Sequence, residues 1–102
     1  MSTSDDDPRY EGRPLLRLLD SYVMAITGNL DSDTEARVAK VVKATFGGGP
    51  DWMATLREVV HLPDDMDQRI QKPWQSQSPG VDPRMFAVAV SNETFVPLID
   101  RL

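Results

Sequence analysis

The apolar residues of this chain recur at intervals of three and four residues, in segments that glycine and proline keep short. Such spacing places apolar side chains along one face of an α-helix. Glycine and proline end a helix, so none of these helices can become long. Short amphipathic helices are stable only when they bury their apolar faces against one another. The pattern therefore predicts an all-α fold, a compact bundle of four to five short helices.

Three helices are predicted in the first part of the chain. The first starts at Pro14, which suits an initial helical turn, and stops at the Gly-Asn pair 28–29, which tolerates the left-handed cap conformation. The second starts at Ser32, the first residue of a Ser-Asp-Thr-Glu capping box. The third follows Asp51, whose carboxylate can accept hydrogen bonds from free helix amides, and stops at the Leu-Pro pair 62–63.

A fourth, weakly apolar helix is predicted after this Leu-Pro pair, with Met66 and Ile70 turned inward. We expect it to stop near Lys72, because the residue before Pro73 disfavours helix. Residues 73–83 are then expected to form a polar connector.

The Asp-Pro pair 82–83 is a typical N-cap followed by a first helical residue, and it predicts a fifth helix over 85–91. A β-hairpin that turns at 91–94 is the alternative. The last residues, 94–102, are expected to end in a short turn of helix. The predicted core of the bundle is Leu15, Leu19, Tyr22, Ile26, Val38, Val41, Val42, Phe46, Trp52, Leu56, Val60 and Phe86.

The length and charge of the chain limit the number of domains and the kinds of partner that it can have. Its 102 residues suffice for one modest core, which we assign to a single helical domain, residues 13–102. Residues 1–12 are mostly polar and include Asp5, Asp6 and Asp7, which predicts a disordered acidic arm. Without these aspartates the net charge of −5 falls to −2, from 13 acidic and 11 basic side chains. We therefore do not expect binding to nucleic acid.

The same sequence argues against a membrane protein. No apolar segment reaches the ~20 residues that span a bilayer, and the first residues lack the features of a secretory signal. The chain has no cysteine, which agrees with a reducing compartment, and we expect a cytoplasmic protein.

Three consecutive glycines, Gly47, Gly48 and Gly49, raise the question of a phosphate site. A P-loop requires a preceding strand and a Lys-Ser or Lys-Thr pair, and neither is present here. We interpret Gly47 as a left-handed helix C-cap and Asp51 as the N-cap of the next helix. One glycine would suffice for the cap, so the others indicate close backbone approach or mobility.

Two further groups of residues are candidate contact surfaces. Arg37, Lys40 and Lys43 form a basic stripe opposite the valines of the second helix, which is either a solvated face or a binding site for an acidic partner. Trp74 follows Gln71 and precedes Gln75. It is either an interface anchor, as tryptophan often is, or a side chain that folds back over the fourth helix.

The residue types that catalysis and metal binding require do not combine into a site. His61 is the one histidine, so a typical zinc site is excluded in a chain without cysteine. No nucleophile elbow is present, and no carboxylate segment fits a calcium loop. We expect no catalytic residue, metal or cofactor.

These observations predict a small non-catalytic protein-binding module: an adaptor, a regulator or a toxin-neutralising protein of the immunity type. Its contact residues would be Trp74, Gln71, Gln75, Arg37, Lys40 and Lys43. The alternative is a small-ligand or anion-binding helical domain. It would use the basic stripe and the 47–51 glycine corner, with Gly47, Gly48, Gly49 and Asp51.

Overall fold

The computed structural model describes residues 14–77 and 80–100, and the regular secondary structure in these ranges is entirely helical. The all-α prediction is confirmed. The predicted arm, residues 1–12, lies outside the described residues. The helices are α1 (Pro14–Ile26), α2 (Ser32–Phe46), α3 (Trp52–Val60), α4 (Met66–Gln75) and α5 (Pro83–Val90), and α5 continues through a π-helical segment (Ser91–Phe95) into α6 (Val96–Asp100).

Helix α1 lies at the centre of the bundle. It contacts α2, α4, α5, the π-helical segment and α6, whereas α3 packs on α2. Leu16, Leu19, Tyr22 and Val23 of α1 are fully buried. These four residues lie within about 120° of the helix circumference. The partly buried Leu18, Met24 and Ala25 widen the covered sector, so α1 has packing partners on several sides.

The core contains most of the predicted residues. Leu19, Tyr22, Val38, Val42, Trp52, Leu56 and Val60 are buried, and Leu15, Ile26, Phe46 and Phe86 are partly buried against them. The prediction for Val41 is wrong, because its side chain is 49% exposed. Helix α2 is covered only along its Val38 and Val42 face, and Val41 is rotated away from that face by about 100° relative to Val42. Buried residues outside the predicted list are Leu16, Val23, Leu62, Met66, Ile70, Ala87 and Phe95.

The turn between α1 and α2 confirms one cap and corrects another. Gly28 has φ 77°, and the Asn29 amide donates to the Met24 carbonyl at 2.8 Å, as predicted for a glycine-terminated helix. The N-cap of α2 is Asp31, not Ser32: its carboxylate accepts from the Thr34 amide at 3.0 Å and the Thr34 hydroxyl at 2.7 Å. These hydrogen bonds lower the pKa of Asp31 below its usual value. The Asp31 carboxylate, one residue before Ser32, therefore caps the helix in place of the predicted capping box.

Helix α4 does not stop at Lys72, so that prediction is wrong. The helix runs through Pro73 to Gln75, and the predicted polar connector begins only at Ser76. Only the last turn follows the proline, and the Ser76 amide closes it on the Lys72 and Pro73 carbonyls, both at 3.2 Å. Packing of Trp74 against Phe86 holds the same turn on the bundle.

The C-terminal region is helical, so the hairpin alternative is excluded for residues 83–100. Asp82 accepts a hydrogen bond from the Arg84 amide at 2.9 Å, which confirms it as the N-cap of α5. The π-helical segment precedes Pro97, whose ring would collide with the Glu93 carbonyl in a regular α-helical turn. The wider π turn accommodates the proline without ending the helix.

The glycine corner between α2 and α3 is a place of close backbone approach. Gly47 has φ 76° and ψ −137°, so the positive φ is as predicted but ψ lies outside the left-handed helical region. Gly48 has φ 84°, and a Cβ atom there would lie 2.5 Å from Thr55 Oγ1. Thr55 is buried and its hydroxyl donates to the Asp51 carbonyl at 3.3 Å, so it cannot rotate away without losing that bond.

We therefore expect Gly48→Ala to lower the free energy of unfolding by about 1–3 kcal/mol, from the positive φ and the overlap with Thr55. Gly49→Ala is the matched control, since Gly49 has open space around its Cα and is expected to change stability by less than about 1 kcal/mol. Urea unfolding of both variants measures the difference. Equal effects of the two substitutions would contradict the close approach.

His61 ends helix α3 in a conformation that glycine adopts more easily. Its φ of 59° and ψ of 47° are left-handed. The amides of His61 and Leu62 donate to the carbonyls of Glu58 and Arg57, at 3.4 and 3.0 Å, in the hydrogen-bond pattern of a glycine-terminated helix. The side chain is exposed, so its loss removes no packing.

His61→Gly is expected to raise the free energy of unfolding by about 1 kcal/mol, because it relieves the left-handed strain. His61→Ala keeps the Cβ atom and is expected to give no such gain. Chemical denaturation of the two variants decides the point: a glycine variant no more stable than the alanine variant would refute the strain.

Candidate functional site

Helix α2 presents the three predicted basic residues to solvent on one face. Arg37, Lys40 and Lys43 are exposed and lie opposite the buried Val38 and Val42. Among the described residues, neither Lys40 nor Lys43 forms an ion pair, and Arg37 donates only a long hydrogen bond, 3.4 Å, to the Thr34 hydroxyl. We name this surface the α2 basic face.

The α2 basic face has an apolar margin. Val41 is 49% exposed next to Lys40 and Arg37, and Ala44 is exposed one turn further on. Charged heads therefore flank a small apolar strip on this helix face.

The second predicted surface is only partly available. Gln71 and Gln75 are exposed on α4, and the Gln71 amide group donates to the Ile26 carbonyl at 3.4 Å. Trp74 is half-buried, and its ring lies 5.1 Å from that of Phe86 at an interplanar angle of 57°. The structure has no extensive contact between α4 and α2, the helix that carries the α2 basic face.

Some of the polar groups at the glycine corner are already used in internal hydrogen bonds. The Asp51 carboxylate accepts from the amides of Met53 and Ala54 at 3.1 and 3.2 Å, and so occupies the N-terminus of α3 with a negative charge. The Gly47 amide donates to the Lys43 carbonyl at 2.9 Å. The predicted anion site at 47–51 stays a prediction that these contacts do not strengthen.

One polar cluster could not be found from the sequence. The buried Tyr22 hydroxyl donates to Asp67 Oδ1, and Arg57 Nη1 lies 3.4 Å from the Tyr22 oxygen and 3.3 Å from Asp67 Oδ2. The three residues come from α1, α3 and α4, and no local motif links positions so far apart in the chain. Every side chain in this cluster has a partner within it, so the cluster links three helices.

Burial, followed by the hydrogen bond to Asp67, raises the pKa of Tyr22 from 10.0 to about 12. A raised pKa means that the neutral phenol is the form that the fold stabilises. The contribution of Tyr22 to the free energy of unfolding is therefore fully present below pH 10 and is lost as the pH rises towards 12.

An apolar groove of about 490 Å³ separates α4 from α5. Met66 and Ile70, both buried, lie on its α4 side, and Phe86 and Val90 on its α5 side. Met85 stands at the edge and is 66% exposed, the most exposed large apolar side chain among the described residues. We name this feature the α4–α5 groove; sequence periodicity did not reveal it, because it depends on how far apart the two helices lie.

The described residues contain no group of three or more histidine, aspartate and glutamate side chains placed to hold a metal ion. No described helix has the length and apolar character that a membrane span requires. No protein-family model, curated protein or solved structure matches this chain.

Tyr22→Phe is expected to lower the free energy of unfolding at neutral pH by about 1 kcal/mol, through loss of the hydroxyl bonds. It should also flatten the decline in stability between pH 10 and 12, because the residue that titrates in this window is gone. Urea unfolding at several pH values, with tyrosinate absorbance as a second readout, measures both effects. A variant whose stability falls with pH as steeply as that of the wild type would contradict the raised pKa.

Proposed function

We propose that this protein is a non-catalytic protein-binding module whose α2 basic face binds an acidic surface of a partner protein. An adaptor, a regulator and a toxin-neutralising protein of the immunity type all fit this description. The observation that carries the proposal is the exposure of Arg37, Lys40 and Lys43 on one helix face, with no ion pair to Lys40 or Lys43 among the described residues.

The charge of this face is opposite to that of the whole chain. The protein carries −5, yet the α2 basic face brings three cations together within two helical turns. An acidic partner would be attracted to this face and repelled by the rest of the surface, so charge would orient the encounter. Such an arrangement favours a specific docking direction more than a high affinity.

The apolar margin of the face favours a protein over a polyanion. Exposed Val41 and Ala44 can contact apolar side chains of a partner, which a phosphate backbone does not offer. Nucleic-acid binding proteins present larger basic surfaces, whereas the net charge here is negative. We therefore infer an acidic helix or loop with a small apolar contact at its centre.

The proposal is tested by comparing two double variants as baits in cell lysate of the source organism. Lys40→Glu/Lys43→Glu reverses the α2 basic face, and Lys72→Glu/Arg84→Glu makes the same change of charge on α4 and α5, where both residues are exposed. The partner that wild type and control capture is purified, and its affinity is measured for all three proteins by calorimetry.

We expect the α2 variant to bind at least about tenfold more weakly than wild type, and the control to bind within about threefold of it. The difference should shrink as salt rises above ~0.15 M, because exposed charges are then screened. Equal weakening by both variants would show a general charge effect and would contradict a contact at α2. Circular dichroism of each variant verifies that the helices are intact.

A further inference from the structure

The α2 basic face holds like charges close together. Arg37, Lys40 and Lys43 follow one another at intervals of three residues, so they lie along ~9 Å of helix. Residues three apart are neighbours on a helix surface, and like charges at that spacing repel one another. Within the described ranges, no carboxylate pairs with Lys40 or Lys43. An anionic group bound on this face would therefore relieve the repulsion.

The chain itself carries a matching group of anions. Asp5, Asp6 and Asp7 form the longest uninterrupted acidic run in the sequence, and they belong to the predicted arm, which lies outside the described residues. Their three negative charges equal the three positive charges of the α2 basic face. Tyr10, three residues further on, adds an apolar side chain, which matches the exposed Val41 on α2. The arm therefore complements this face in both charge and polarity.

The arm is long enough to reach the α2 basic face. Residues 27–31 alone join α1 to α2, which packs on it, and helices that are neighbours across so short a connection run roughly antiparallel. The start of α1 thus lies on the same side of the bundle as the end of α2, where Lys43 is. Residues 8–13 join Asp7 to Pro14, and a chain of this length extends to ~23 Å. Half the circumference of a helix ~10–12 Å wide is only ~16–19 Å.

We propose that Asp5, Asp6 and Asp7 dock on the α2 basic face of the same chain and shield it from acidic partners. Because the arm is attached through a short linker, its effective concentration at the face is on the order of millimolar. Exposed ion pairs are individually weak, so a partner with a better-matched acidic surface displaces the arm. The docking is independent of any partner, whereas its regulatory effect rests on the proposed function of this face.

Paramagnetic relaxation enhancement on the full chain tests the docking with no partner present. The chain has no cysteine, so Ser4→Cys provides a single attachment site for a nitroxide, next to Asp5. We expect the amide signals of residues 37–43 to lose at least about half of their intensity, since a tethered group at millimolar effective concentration spends much of its time at the face. Absent or uniform broadening, or broadening centred on another helix, would overturn the docking.

The contribution of charge is tested separately from the length of the arm. The arm variant, Asp5→Asn/Asp6→Asn/Asp7→Asn in the labelled chain, is expected to abolish the broadening at α2. So is ~1 M salt, at which the Debye length is only ~3 Å. A matched control removes the same charge from three exposed residues of the bundle, Glu58→Gln/Asp64→Asn/Glu93→Gln, and is expected to leave the broadening unchanged. Broadening that survives in the arm variant would contradict the charge pairing.

A hexa-aspartate peptide is the probe for the shielding. We expect it to bind the arm variant about threefold to tenfold more tightly than wild type, and the matched control within about twofold of wild type. The same affinity for all three proteins, or the same gain in the two variants, would overturn the shielding. The relaxation experiment needs no partner, so its outcome is separate from that of the lysate capture that tests the proposed function.

Discussion

The burial of helix α1 is the constraint on which the rest of the structure depends. Leu16, Leu19, Tyr22 and Val23 have no exposure. The partly buried Leu18, Met24 and Ala25 widen the covered sector beyond the stripe that one partner helix buries. Helices from both ends of the chain must therefore pack around α1: α2 on one side, and α4, α5 and the π-helical segment on others. The loops at Gly28 and at the glycine corner make two of these reversals possible, because glycine with a positive φ ends α1 and α2 there.

Burying α1 also buries polar groups, and their hydrogen bonds link distant parts of the chain. The Tyr22 hydroxyl is satisfied by Asp67 with Arg57 close by, and the fully buried Ser91 donates to Asp20 on α1. Among the described residues no buried side-chain nitrogen or oxygen lacks a partner. Because an unpaired buried polar group costs more than its bond contributes, these contacts hold α3, α4 and the π-helical segment in fixed positions against α1.

The α2 basic face and the α4–α5 groove, which both lie outside this core, differ in chemistry. The α2 basic face is charged, with a narrow apolar margin around Val41, whereas the α4–α5 groove is apolar and bordered by single charges at Arg69 and Glu93. Charge favours orientation and rapid encounter, and apolar burial favours lasting association.

The sequence by itself determined the helical class, several helix ends and the place of the α2 basic face. The Arg37, Lys40 and Lys43 stripe, the ends at Gly28 and Asp51, and most of the core follow from periodicity and capping chemistry, which act between near neighbours. Where two local signals compete, as at Asp31 against Ser32 or at Pro73, capping and proline rules do not rank their strength. Tertiary structure alone decided the exposure of Val41, the Tyr22, Arg57 and Asp67 cluster and the α4–α5 groove, because each depends on the distance between helices that are far apart in the chain.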